Sequence, residues 1–259
     1  FLQKQQRSAG VSQAELIKIA VKSLGLDELA AFKPEERIIE FLLADKKNKR
    51  FIDLSLTNFA DETASESAAP GGGSIAAYIG ALGISLAAMV ANLSAHKKGW
   101  DDRWQEFGML AEKAQFFKEE LLKLVDEDTR AFNEIMIAIG YSKSTDAEKL
   151  FRTNAIQEAT KYAIEIPFKV MELTYESMEI IKLIATVGNP NSISDAGVGA
   201  LCARAAVMGA FMNVRINAAG CADKDFVNAF ISRGQIIEAA AIAKETDILK
   251  LVNEIINAG

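Results

Sequence analysis

From Ile75 to Leu93 the chain carries no charged side chain, and no other feature limits its possible folds so tightly. The stretch is long enough to cross a bilayer. Its content points elsewhere: Ala76, Ala77, Gly80, Ala81, Gly83, Ala87, Ala88 and Ala91 are small, and strongly lipophilic residues are few. Small residues around a helix let neighbouring backbones come close, as at the centre of a bundle. No second span is read from the sequence, and the other segments have polar faces. The expectation is a buried central helix. An exposed apolar band on Ile75–Leu93 would revive the membrane reading.

The rest of the composition agrees with a helical protein. Only 4 prolines and 8% aromatic residues accompany abundant Ala, Leu, Ile, Glu and Lys, which favours helix over sheet. A length of 259 residues leaves room for one large domain, or for a domain and part of another. The formal net charge is -6 and there is no long basic run, so nucleic acid is not an expected partner. Cys202 and Cys221 do not make a disulfide framework, which suits the cytoplasm. His96 is the sole histidine, which excludes a metal site built on imidazoles and any Ser-His or Cys-His nucleophile pair. Chemistry must come from carboxylates, amides, lysines or hydroxyls. No metal and no tightly bound cofactor is expected.

Phe1 opens the sequence without a signal-peptide pattern and reads as the middle of something longer. Ser12-Gln13-Ala14-Glu15 is a capping-box start, and Gly25 can end that helix. Ile38 to Leu43 is short and apolar and could be a lone strand. Asp45 to Arg50 is a charged run that marks a domain boundary. The division expected is a remnant at 1–43, a linker at 44–53 and a main domain at 54–259. Helices are then expected from Leu54 to about Ser67, from Ser74 through the uncharged stretch, and from about Asp101 to Ile139. Others run from about Asp146 to Glu165, from Pro167 to Val187, from Ser194 or Asp195 to Ala219, and from Asp223 to about Asn257.

Four constellations could carry chemistry. Pro70-Gly71-Gly72-Gly73-Ser74 opens a helix, where glycines admit close approach and free N–H groups suit an anionic or polar ligand. It could equally be a flexible connector. In Asp126-Glu127-Asp128, only Asp128 falls within the apolar stripe of Leu121, Leu124, Val125, Phe132, Ile135 and Ile139. A carboxylate there is costly without a partner or a task, and burial would raise its pKa toward useful proton transfer. A buried salt bridge is the competing reading. Lys97 and Lys98, beside His96, could hold ligand carboxylates or simply end a helix. Asn213 and Asn217 share a helix face. They could read a polar ring or bond between helices, and the turn from Asn189 to Asp195 adds polar groups.

In this order the pieces resemble the formimidoyltetrahydrofolate cyclodeaminase family. The resemblance rests on Ala69-Pro70-Gly71-Gly72-Gly73-Ser74, Leu124-Val125-Asp126-Glu127-Asp128 with Ala131-Phe132, Gly188-Asn189, Ser194-Asp195, and Asn213-Val214-Arg215-Ile216-Asn217. It covers about Leu54 to the C-terminus. The stretches Lys4 to Ser8, Ile17 to Leu26 and Glu36 to Glu40 resemble the tail of a glutamate formimidoyltransferase domain, which precedes the cyclodeaminase in the bifunctional enzyme of histidine breakdown. The fold class implied is all-α: a bundle of long helices around a small-residue-rich central helix, behind a short remnant of a preceding α/β domain. Also implied are a homodimer or higher homo-oligomer with sites near the subunit interface, and catalysis by Asp128. A folate, possibly polyglutamylated, would touch Gly71, Gly72, Gly73, Ser74, Asp195, Asn213 and Asn217, with Lys97 and Lys98 receiving its acidic tail. His96 departs from the family pattern, which has a small residue there.

The expected reaction closes 5-formimidoyltetrahydrofolate to 5,10-methenyltetrahydrofolate and releases ammonia. Transferase activity is not expected. The alternatives are a methenyltetrahydrofolate cyclohydrolase on the same scaffold and a non-catalytic helical oligomerisation module.

Overall fold

The computed structural model describes residues 1–43 and 50–258. The charged run that marks the expected boundary lies, Arg50 apart, outside the described residues. Before it, α1 (Gln13–Ser23) starts where Ser12 Oγ accepts the Glu15 N–H. It ends at Gly25, whose φ of 65° lets the Gly25 and Leu26 N–H groups turn back to Lys22 O and Val21 O. Two short helices follow, α2 (Pro34–Arg37) and α3 (Ile39–Leu43). The lone strand expected at Ile38–Leu43 is therefore helix. With no partner strand beside it, a helix is what satisfies its backbone locally, and no strand occurs among the described residues.

Six further helices follow: α4 (Leu56–Thr63), α5 (Gly72–Ala95), α6 (Trp104–Ile139), α7 (Asp146–Val187), α8 (Ile193–Ala218) and α9 (Lys224–Ala258); the last five form the bundle, and α4 touches it through Phe59 on Tyr78. Helix α5 packs on α6, α7 and α8. Its small residues explain this. Ala77, Ala81, Ile84, Ala87 and Ala91 are buried, and a Cβ on Gly83 would come within 2.9 Å of Gly199 O on α8. The two helices are antiparallel, with Gly72 beside Asn213 at one end and the Asn189 N–H on Ser94 Oγ at the other. Contrary to the sequence reading, a second helix, spanning Pro190–Ala218, is also long and apolar enough to cross a membrane. Both pack into the bundle, yet α5 leaves Leu82, Met89 and Leu93 exposed along one face, which is the apolar band named above as the condition for a membrane reading.

Two helix starts differ from expectation. Ser74 does not cap α5; glycine 71 occupies that position, and Ser74 lies buried in the first turn. Nor do Ser194 or Asp195 cap α8, which begins at Ile193 directly after the Pro190–Ser192 turn. Asp223 does cap α9, through the Phe226 N–H at 3.0 Å.

Pro167 starts no helix, contrary to expectation, and sits inside the continuous α7. An interior proline costs about 3 kcal/mol, because the carbonyl four residues earlier loses its donor. That carbonyl belongs to Ala163, and it accepts Asn217 Nδ2 from α8 at 2.7 Å. One such bond offsets about 1 kcal/mol. The flanking Ile164, Phe168, Val170 and Met171 are fully or almost fully buried, and each contributes about 1.5–3 kcal/mol. Packing therefore outweighs the break.

Candidate active site

Glycine 71 has no side chain with which to cap α5, so the first turn of that helix offers free N–H groups. The anion that meets them comes from the protein itself. Asp128, on α6, accepts the Ser74 N–H and, through Oδ2, the Ser74 hydroxyl at 3.1 Å. Glycine at 73 makes this approach feasible: a Cβ there would lie 2.6 Å from Asp128 Oδ2 and closer still to Oδ1. Ser74 Oγ also reaches Val125 O at 2.8 Å and Thr129 Oγ1 at 3.3 Å. Its single proton can serve Val125 or Asp128, so the hydroxyl can also accept from a protonated carboxyl.

Burial pushes the Asp128 carboxyl above the ordinary carboxylate range, and the two Ser74 hydrogen bonds pull it back part of the way. No basic side chain pairs with it among the described residues, so the competing salt bridge is not formed. The apolar stripe holds at Leu121, Leu124 and Val125, which are buried, whereas Phe132 and Ile139 are exposed.

Its neighbours have other tasks. Asp126 points away and accepts the Phe51 N–H at 2.6 Å, tying the Phe51–Asp53 turn to α6. Burial raises its carboxyl too, against the N–H groups of Phe51 and Ile52. A raised carboxyl is thus not peculiar to Asp128; what distinguishes Asp128 is the cavity in front of it. Glu127 accepts the Tyr162 hydroxyl and pairs with Arg130. Desolvation and Glu127 push that phenol up to about 12.

The cavity measures about 140 Å³ and is lined by Gly71, Gly72, Asp128, Thr129, Asn213 and Asn217, with Phe132, Ile135 and Ala163 also in its wall. Larger hollows lie in and against the N-terminal segment, one of about 540 Å³ around Ile17, Val21, Phe32 and Phe41. Its Lys22 and Asp27 neutralise each other, leaving no unpaired carboxylate like Asp128. No cluster of metal-ligating side chains occurs among the described residues.

The expected site residues therefore divide. Gly71, Gly72, Gly73, Ser74, Asp128, Asn213 and Asn217 meet at one end of α5. Ser74 is buried behind Asp128 and faces it rather than the cavity. Lys97 and Lys98 follow the other end, about 35 Å along a helix of 24 residues. Lys97 sits over the Trp100 ring at 4.2 Å, and Lys98 and His96 are exposed. Asp195 is in the first turn of α8, also at that far end. Within one chain these three do not join the cavity. Thr129 and Ala163 line the cavity without having been singled out from the sequence; Thr129 could have been found from its place beside Asp128.

Fold and site together define a helical-bundle protein with an unpaired carboxylate seated on a glycine-opened helix start. The model of the family described as formiminotransferase-cyclodeaminase matches residues 55–234, and that of the formiminotransferase domain matches residues 1–44. The chain belongs to the formiminotransferase-cyclodeaminase family. It is 37% identical over 211 residues to formimidoyltransferase-cyclodeaminase of Rattus norvegicus, covering 81% of this chain and 39% of that one. The chain thus spans about two-fifths of the length of such relatives. Methenyltetrahydrofolate cyclohydrolase of Methylorubrum extorquens is 36% identical over 190 residues, covering 73% of this chain and 91% of that one. The crystal structure of formiminotetrahydrofolate cyclodeaminase from Thermotoga maritima superposes with a TM-score of 0.70 at 28% identity, over 79% of this chain and 98% of that one.

Proposed function

We propose that the helical domain is a cyclodeaminase that converts 5-formimidoyltetrahydrofolate to 5,10-methenyltetrahydrofolate and ammonia. The observation that carries this reading is the unpaired Asp128 carboxylate, partly buried and facing a cavity at the start of α5. N10 of the folate attacks the formimidoyl carbon, and a tetrahedral carbon bound to both ring nitrogens forms. Asp128 takes the N10 proton and passes it to the departing nitrogen, which leaves as ammonia when its C–N bond breaks. Ionised, Asp128 also favours the cationic amidine and the cationic product. The Ser74 hydroxyl can donate to the carboxylate or accept from the acid, so it supports both protonation states.

A second reading has one specific observation in its favour, the cyclohydrolase of Methylorubrum extorquens matched over 91% of its length. Opening the methenyl ring with water passes through a closely similar tetrahedral carbon. Offering the purified protein each folate while following methenyl absorbance and ammonia separates the two. Absorbance gained in step with ammonia supports the cyclodeaminase; absorbance lost without ammonia supports the cyclohydrolase; neither change refutes both.

The formiminotransferase-domain match at residues 1–44 supports a place in histidine breakdown. Free Cys202 and Cys221 fit a reducing cytoplasm. The occupant proposed for the exposed apolar residues of α5 and α8 is a second copy of the chain. Leu82, Met89 and Leu93 on α5, and Val198, Leu201, Met212 and Ile216 on α8, each follow one helix face. Lys97, Lys98 and Asp195 would then serve a folate tail only across that interface.

A further inference from the structure

Asn217 lines the cavity, and its Nδ2 donates to Ala163 O in the same wall. A carbonyl can only accept, so the amide must present its NH2 to it, and this fixes which end of Asn217 is left over. No donor sits on Asn217 Oδ1 among the described residues. Asn213 is tied in the same manner, through Nδ2 to Gly209 O at 2.9 Å. Each amide therefore keeps its oxygen free to accept, beside the second N–H of its Nδ2, and Asp128 adds a third acceptor. The difference between them is the origin of the tie. Gly209 is a turn behind Asn213 on the same helix, whereas the Ala163 carbonyl is free only because Pro167 has no N–H.

We propose that Pro167 is a positioning residue for ligand recognition: the Ala163 carbonyl it leaves free holds the Asn217 amide with Oδ1 toward the cavity, where it accepts an N–H of the ligand. The proposal rests on the folate reading above. These three oxygens favour a ligand edge that carries N–H groups, such as that of a reduced pterin, because an oxygen left unpaired away from water is costly. Pro167 itself touches no ligand.

The test uses the full chain, with 5,10-methenyltetrahydrofolate as the binding probe and the urea midpoint as the folding probe. N217A lowers the midpoint and weakens binding about ten-fold, the value of one hydrogen bond. In the double variant P167A/N217A the helix supplies its own donor to Ala163 O, so the midpoint recovers while binding stays about ten-fold weak. P167A alone frees the amide to turn; its midpoint holds or rises, and binding weakens about three-fold, part of the same bond. A double variant that binds like the wild type overturns the proposal, as do midpoint losses that are merely additive. A wild type that binds no folate overturns the folate reading as well; a wild type that binds, with the double variant its equal, overturns this proposal alone.

Discussion

Gly73→Ala tests whether the seat of Asp128 matters to turnover or only to folding. The added Cβ would lie 2.6 Å from Oδ2, while ordinary contact begins near 3.4 Å. Oδ1 lies closer still, so something must move by more than about 1 Å, and the carboxylate can turn away more easily than the start of α5, which is fixed by packing. Turning away breaks the hydrogen bonds to the Ser74 N–H and hydroxyl. Alanine gains about 1 kcal/mol of helix propensity over glycine, and the residual crowding costs about 1–3 kcal/mol, so net stability changes little. Misplacing a reacting group by about 1 Å costs about 100-fold in rate. The assay pairs kcat/KM, from methenyl absorbance and ammonia, with the urea midpoint on the same preparation. The expected result is a loss of about 100-fold with a midpoint shift worth less than about 2 kcal/mol. A kcat/KM within about three-fold of wild type, under about 0.7 kcal/mol, would refute the reasoning.

Three further outcomes follow from the same geometry. Ser74→Ala removes a bond that holds the Asp128 carboxyl down, so the acid limb of the pH–rate profile moves to higher pH. A hydrogen bond to a charged group is worth about 1.5–3 kcal/mol, or about 1–2 pH units, an upper figure because the same hydroxyl serves Val125. Asp128→Asn is not expected to destabilise at neutral pH. The raised carboxyl binds more protons folded than unfolded, so its contribution to stability is full at acid pH and declines as pH rises through the folded pKa. Urea midpoints should favour the Asn variant increasingly from acid to neutral pH, and a gap that does not change with pH contradicts this. Light scattering should give twice the 28.1 kDa chain mass for the wild type and a shift toward the single mass for Leu82→Glu with Ile216→Glu; a monomeric wild type refutes the dimer.

The packed α5 was legible because small residues without charge suit close helix contact, and Asp128 stood out because helical spacing placed it against Leu124 and Val125. Pro167 was misread because its compensation comes from Asn217, on another helix. Ser74 has the sequence features of a cap, yet α6 covers it and turns its hydroxyl to Asp128. Lys97, Lys98 and Asp195 were grouped with the glycines by resemblance alone. The antiparallel course of α5 and α8, which puts them at the far end, is a tertiary fact that no local spacing reveals.

The most direct test of the account is single-turnover formation of methenyltetrahydrofolate from 5-formimidoyltetrahydrofolate by Asp128→Asn with bound substrate. Loss of the proton-moving group predicts a rate lower by about 100- to 10,000-fold with folate still bound. A variant that turns over at the wild-type rate would contradict the role given to Asp128.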